Sequence, residues 1–433
     1  MASPAAHPRA VEDYLVALAL AATWPVYMIG GLYVLGPVLG VCLTAIVLVR
    51  KYVRTPTTPR PAPPNIPIGV WIWTAGMVVM LIALWVGHWS FELSTGQTIK
   101  SSIGWAKGWA LFAMFTLAGA CLDIRFETIL KAAGLTSLIT LLLTPVLYVA
   151  PMVGLPEVLF VSPFRFVGGP GPEFFAVQLY SIDPMDGLPR WRFFTPWSPA
   201  AGLIGNLYLI LALEDRRTFW KVTGVLAALA IIILSKSRLG LLTAVIVWPT
   251  AFGVSQLRRS ILWLGAAVPA FLAGLFSPFI LTQLNAAYAG LRGMRANSNR
   301  VREALGRIAI DRWWNEAPVW GHGVVERGPH LVEYMPIGSH HTWFGLLFVK
   351  GAVGVAALAL PLLWSLLEFA LLALSSRIGR AAFAITLLLA LFTIGENLEI
   401  LTYLFWPGMV VMGLAMREAS EKRTSNSFER PTA

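Results

Sequence analysis

Charge is scarce in this sequence. Of its 433 residues only 13% are charged, against about 25% in soluble domains, which excludes an ordinary water-soluble enzyme. Cysteine is scarcer still. Cys42 and Cys121 both fall inside apolar stretches, so neither a disulfide framework nor a Cys-based metal site is available. The opening MASPAAHPRAVEDY lacks a basic segment followed by an apolar core and a small-residue cleavage site. No cleaved signal peptide is expected, and the first apolar run should stay as an anchor. No Asp-x-Asp-like pair stands out apart from Asp183 and Asp186, which Pro184 separates from regular geometry. Neither a metal nor any other cofactor is expected.

What the chain has instead is apolar length. Hydrophobic residues make up 57% of it and the mean hydropathy is +0.69. They collect in blocks long enough to cross a hydrocarbon core of about 30 Å. Spans are expected near 14–31, 33–49, 68–87, 104–121, 133–151, 198–213, 220–235, 239–256, 261–281, 351–374, 381–395 and 400–416. The run 220–256 is nearly twice the core thickness at about 1.5 Å per residue, so it must break at Ser235-Lys236-Ser237-Arg238. The run 381–416 breaks at Gly395-Glu396-Asn397-Leu398-Glu399 for the same reason. The expected fold is therefore all-α, a single polytopic membrane domain over 1–433 with about 12 spans. The net charge of +11 reads as topogenic and calls for no nucleic acid. Placing both termini in the cytoplasm puts Arg50, Lys51, Arg125, Lys131, Arg216, Arg217, Lys221, Arg258, Arg259, Arg377 and Arg380 inside, as the positive-inside rule requires. The Pro-rich segment 50–67 becomes a cytoplasmic linker.

Two long loops remain on the outer side, 152–197 and 282–350. The first is rich in Gly and Pro and is expected to be irregular. The second carries Arg292, Arg295, Arg300, Arg302, Arg307, Arg312 and Arg327, with no lysine before Lys350. Arginine grips phosphate bidentately where lysine is a point charge. Residues 300–314 read as an amphipathic helix capped by one of Asn297, Ser298 and Asn299. At about 100° per residue, Arg300, Glu303, Arg307 and Asp311 share a stripe opposite Val301, Leu305 and Ile308. Such a stripe suits either a solvated face or an anion site.

Arg238 sits in a tight turn at membrane level, where it reads as an anion clamp or as a headgroup anchor. Four of the six histidines, His322, His330, His340 and His341, fall in the second loop without the spacing of a zinc motif. His340, just before an apolar helix over Trp343–Val349, suits a general base near neutral pH, with a merely structural imidazole as the alternative. Charge within the spans is limited to Lys107, Glu368 and Lys350, all near span ends, where snorkelling is the simpler account.

Three of these segments together resemble the O-antigen ligase and O-antigen polymerase superfamily. Ser235-Lys236-Ser237-Arg238-Leu239-Gly240 is similar to the Ser-Arg turn of that family. Arg300 precedes Pro318-Val319-Trp320-Gly321-His322-Gly323, similar to its Pro-x-x-Gly-x-Gly. Gly338-Ser339-His340-His341-Thr342-Trp343-Phe344, followed by Gly351 and Gly354, is similar to its Ser-His-Asn-x-aromatic segment and Gly-x-x-Gly. The likeness covers roughly 190–360. His341 stands where the family carries Asn, and Ala200 stands where its Arg-containing stretch, here Arg192 to Pro199, would end in Asn.

The resemblance implies metal-independent, inverting glycosyl transfer from an undecaprenyl-diphosphate-linked oligosaccharide on the periplasmic face of the bacterial inner membrane. It implies Arg238 and Arg300 as diphosphate ligands and His340 as the base. Arg192, Arg307, Lys236, His341, Glu173, Glu396 and Glu399 are further candidates for substrate contact. Polymerisation of repeat units of O-antigen, capsule or exopolysaccharide is the expected task, beside membrane lipids, a flippase and a chain-length regulator. Ligation of finished glycan to lipid A core is the alternative. A transporter or flippase is the alternative of another class, and it would need broken helices and midplane charge.

Overall fold

The computed structural model describes residues 10–52, 66–183, 187–279, 281–283, 285 and 296–428. Helices occupy all twelve expected positions. They are α1 (Val11–Ala21) and α2 (Thr23–Met28), α3 (Leu32–Tyr52), α4 (Ile68–Ser90), α5 (Thr95–Lys107), α6 (Trp109–Cys121), α7 (Phe126–Val149) and α8 (Ser198–Glu214). There follow α9 (Thr218–Leu234), α10 (Arg238–Ser255), α11 (Ser260–Leu275), α12 (Ala296–Glu316), α13 (Thr342–Ala373), α14 (Arg377–Phe392) and α15 (Leu398–Phe428). Six of them, α3, α4, α7, α10, α13 and α15, are long and apolar enough to cross a membrane. The others are shorter. The first expected span divides at Ala22, and the fourth divides at Gly108 into α5, which has no buried residue, and the apolar α6.

Helix α15 is the axis of the bundle. Its apolar stretch is 89% buried, and it packs on α6, α14, α3 and α8. Small residues let it approach α6 closely. A Cβ on Gly119 would stand 2.1 Å from the Val410 carbonyl, and one on Gly413 2.2 Å from that of Thr116. This is the close backbone approach by which helices associate in lipid. Outward faces carry exposed Leu142, Val146, Val245, Phe271 and Leu371. An apolar surface of that extent belongs against hydrocarbon. The chain is thus an all-α, membrane-embedded protein.

The two ends of the bundle differ. Glu12 and Asp13 are fully buried at the end that carries the start of α1. Arg50 pairs with Glu12, whose carboxylate also accepts from Asp123 N at 3.1 Å. Asp13 accepts from Arg125 N at 3.0 Å and Thr128 Oγ1 at 2.8 Å. Arg380 grips Glu214 with two bonds of 2.7 and 2.8 Å, and Arg377 pairs with Glu127.

At the other end the loop 152–197, expected to be irregular, carries short stretches of strand among its turns. It forms two antiparallel hairpins, β1 (Val158–Val161) with β2 (Ala176–Gln178) and β3 (Tyr180–Ile182) with β4 (Pro189–Trp191). Its glycines lie outside the strands, Pro189 begins β4, and Val158, Phe160, Val161, Val177, Tyr180, Ile182 and Trp191 supply the β-branched and aromatic residues that favour strands. The bundle anchors it. Tyr27 Oη donates to Gln178 O at 2.6 Å, and Trp191 Nε1 donates to Leu147 O at 2.7 Å. Asp183 pairs with Arg190 of β4, while Asp186 lies outside the described residues, as do Arg292, Arg295 and the linker residues 53–65.

The charges expected to snorkel are held within the protein. Lys350 is 2% exposed with its ammonium 5.7 Å from the Trp109 ring. Glu368 pairs with Arg423 of the C-terminal segment at 2.8 Å. Lys107 Nζ donates to the Val167 and Gly168 carbonyls at 2.8 and 2.9 Å.

Candidate functional site

The arginine turn is built by its serines. Ser235 Oγ donates to Ile232 O at 3.0 Å as α9 ends, and Ser237 Oγ accepts from Gly240 N at 3.1 Å to cap α10. Lys236 between them takes a left-handed backbone, φ 52°. Arg238 thereby becomes the first residue of α10, half-buried. Helix α8 fixes the turn from the side. Asn206 Nδ2 donates to both Gly202 O and Gly240 O at 2.8 Å, and a Cβ on Gly202 would meet Ser237 Oγ at 2.4 Å.

The next two motifs are one interlocked unit. Helix α13 breaks at Gly351, φ 63°, leaving backbone groups on each side of the break without helical partners. The segment Pro318–Gly323 supplies them. His322 N and Gly323 N donate to the Phe348 and Val349 carbonyls at 2.9 Å, and Ala352 N donates to Pro318 O at 3.0 Å. The His322 ring adds a bond to Phe348 O at 2.9 Å and one to Glu316 at 2.7 Å. Close approach makes the glycines necessary: a Cβ on Gly351 would stand 2.3 Å from Val319 O. His322 is therefore a structural histidine.

This unit holds α12 across the start of α13. Val301 and Leu305 of α12 are buried with Val332, and Gly306 lies against the Phe344 ring. The expected amphipathic helix is present, with its apolar flank inward. Arg300 and Arg307 are exposed. Arg302, about 200° round the helix from Arg300, acts electrostatically on both His340 and Glu396. None of Arg300, Arg302 and Arg307 pairs with a carboxylate among the described residues. The side chains of Asn297, Ser298 and Asn299 lie outside what is described.

His340 has φ 64° and is half-buried. Burial and the Arg302 guanidinium hold its imidazole down at about 4, so it is neutral at physiological pH. A left-handed backbone at a non-glycine residue stores strain, and such positions cluster at functional sites. His341 does different work. It stacks on Phe344 with ring centroids 3.9 Å apart, and its Nδ1 accepts from Phe344 N at 3.4 Å as the N-cap of α13. That is the task an Asn would perform at this position.

The turn between α14 and α15 closes the arrangement. Thr342 Oγ1 donates to Glu396 O at 2.6 Å, and Trp343 Nε1 donates to Thr393 Oγ1 at 2.9 Å. A Cβ on Gly395 would meet the Leu239 side chain at 2.7 Å, which brings this turn against the start of α10. The Glu396 carboxyl is buried. Its Oε2 accepts from Trp197 Nε1 at 2.8 Å and its Oε1 has no partner. Burial pushes this carboxyl up to about 7, against the opposing pull of the Trp197 bond and Arg302.

Arg192 and Glu173 form a flanking pair. Arg192 Nη1 donates to Gln178 Oε1 and to Pro196 O at 2.9 Å, while its Nε is buried without a partner. Burial lowers its guanidinium, and Glu157, Tyr27 and Glu173 act in the opposite direction. Phe174, next to Glu173, meets Trp197 edge-on at 5.5 Å, linking this pair to Glu396.

The structure thus sets the turn of Lys236 and Arg238 beside the turn of Glu396, through Leu239 against Gly395, and His340 and His341 next to it through Thr342, with Arg192 and Glu173 flanking Trp197. The sequence shows Arg302 only as one of the arginines of the second loop, and nothing in it marks Trp197. Among the described residues no group of three or more His, Cys, Asp and Glu side chains is placed to hold a metal ion. No family model matches the chain, and no curated protein matches it.

Proposed function

We propose that the chain is a twelve-span inner-membrane glycosyltransferase that polymerises undecaprenyl-diphosphate-linked repeat units on the periplasmic face, with both termini cytoplasmic. The observation that carries this reading is the meeting of the Arg238 turn, His340, Arg302 and Glu396 at one end of a bilayer-embedded bundle. Arg238 and Arg300 take the lipid-linked diphosphate, while Arg302, on a different face of α12, acts on His340 and Glu396. The anomeric carbon breaks its bond to the diphosphate, which leaves with the electron pair, and bonds to the acceptor oxygen. The acceptor's hydroxyl proton passes to His340. Guanidinium groups stabilise charge as it grows on the leaving group. Attack from the face opposite the diphosphate inverts the configuration.

An imidazole held at about 4 is a weak base. A bound diphosphate offsets the Arg302 part of that depression, while burial, its larger cause, still holds the imidazole below its usual value. A second assignment follows from Glu396. A carboxyl near 7 is already suited to proton transfer at neutral pH, and its Oε1 is unpartnered. The two separate by mutation: His340→Gln removes transfer if His340 is the base, while Glu396→Gln does so if the carboxyl is.

The reaction is tested with the purified protein in nanodiscs and a defined undecaprenyl-diphosphate-linked repeat unit. A ladder of lengthened lipid-linked products, lost with Arg238→Lys, is the expected result. Transfer only when lipid A core is supplied makes the protein a ligase. Repeat units that cross the bilayer unlengthened make it a transporter.

A further inference from the structure

A cavity of about 560 Å3 opens at the end of the bundle remote from the candidate site. Its remoteness follows from the helices. Arg216 and Lys221 lie where α8 gives way to α9, Arg258 and Arg259 follow α10, and Arg377 and Arg380 begin α14. The opposite ends of those helices carry Trp197, Arg238 and Thr393 of the candidate site. Its volume falls within the range of about 300–1,000 Å3 typical of ligand pockets.

The lining holds Arg216, Lys221, Arg258, Arg259, Arg377 and Arg380 against only Glu214 and Asp215. Both carboxylates are already committed, Glu214 to Arg380 and Asp215 to Arg217. Arg377 in turn holds Glu127. Arg216, Lys221, Arg258 and Arg259 therefore face the cavity with no carboxylate partner among the described residues. Three of these four are arginines, whose forks suit phosphate oxygens.

We propose that this cavity is a binding site for a phosphate-bearing anion, and that its occupant is the headgroup of an anionic membrane lipid. A lipid rather than a soluble phosphate is favoured by what surrounds the cations. Leu257, between two lining residues, and Phe219 and Trp263, a few residues from Lys221 and Arg259, are exposed apolar side chains on which acyl chains can lie. The Trp263 indole is tied to Leu257 O at 2.9 Å, at the level where aromatic residues mark a membrane interface. A basic pocket between helix ends is how headgroups such as that of cardiolipin are held.

The test uses the full-length protein in detergent with phosphatidylglycerol, cardiolipin or phosphatidylcholine titrated in and retention read by native mass spectrometry. Wild type should retain the anionic lipids over phosphatidylcholine. Arg258→Gln with Arg259→Gln should weaken that retention by roughly thirtyfold. Arg216→Gln with Lys221→Gln, at the α8–α9 junction, should act similarly, so a folding defect in one pair does not decide the matter. Inorganic pyrophosphate is the second probe. If it raises the melting temperature of wild type but of neither variant while no lipid preference exists, the anion site stands and the lipid assignment falls. Equal retention of all three lipids with no pyrophosphate effect, or a preference unchanged in both variants, overturns the proposal. Neither readout depends on the reaction assigned to the other end.

Discussion

At the end of the bundle that carries the start of α1, arginines are matched to carboxylates: Arg50 to Glu12, Arg380 to Glu214, Arg377 to Glu127. At the opposite end Arg300, Arg302 and Arg307 have no such partner among the described residues, and the buried Glu396 carboxyl, on which Arg302 acts, is raised to about 7 by burial. The difference teaches what each end is for. Paired charge fixes helix ends in register, and the paired groups themselves leave little field for a ligand. Unpaired guanidinium held on rigid helices invites an anion from outside. The cavity at the paired end is instructive because it keeps four cations beyond those its carboxylates consume.

The largest effect expected from breaking this contrast is catalytic. Arg238→Lys should lower transfer roughly 10²–10³-fold, the scale of losing one preorganised donor, with an unchanged melting temperature. Lipid-linked product chromatography beside a thermal melt measures both. Next comes the paired end, where Arg380→Ala strands the buried Glu214 carboxylate. A loss of about 3 kcal/mol in unfolding free energy is expected from breaking a buried pair, with transfer by the surviving folded protein intact. Denaturant titration in detergent reads the first quantity, and a weighed activity assay the second.

Gly351→Ala is smaller and touches the interlock alone. A residue at φ 63° with its Cβ against Val319 O should cost about 2 kcal/mol and lower both stability and transfer. The smallest effects concern pH. Glu396 has a folded pKa raised to about 7, so its stability contribution is complete below about 4.3, the usual Glu value, and is lost as pH rises through 7. His340 is the reverse. Its pKa is lowered to about 4, so stability is full above the usual imidazole value of about 6.5 and falls as pH drops toward 4. In thermal melts from pH 4 to 8, Glu396→Gln should remove a decline between about 4.3 and 7, and His340→Gln a rise between about 4 and 6.5.

Much of the frame was legible in the sequence because apolar length has one physical meaning. The breaks at Ser235–Arg238 and Gly395–Glu399 are where the structure turns, since a continuous helix there would overrun any bilayer. Helix α12 and its inward flank of Val301 and Leu305 followed from periodicity alone. Arg302, on the same helix, was visible only as one of the loop's arginines. It lies about 200° from Arg300 at 100° per residue, on the border of the apolar flank, whereas attention followed the charged stripe. Pairings distant in sequence were invisible for a different reason. Nothing local says that Glu12 meets Arg50 and the 123–128 turn, or that the glycine motif at 318–323 repairs the helix break at Gly351. His341 illustrates the intermediate case. The residue was legible as a site candidate, but its role as a cap depends on the extended backbone that precedes α13.

The most direct measurement is on a strain lacking this gene with the rest of its glycan pathway intact. Lipid-linked glycans would be extracted and sized by mass spectrometry. Single repeat units accumulating on undecaprenyl diphosphate with polymer absent, and polymer restored by wild type but not by Arg238→Lys, is the predicted result. Polymer of full length stranded on that carrier would assign ligation instead, and an unchanged profile of lipid-linked glycans would contradict the account at its centre.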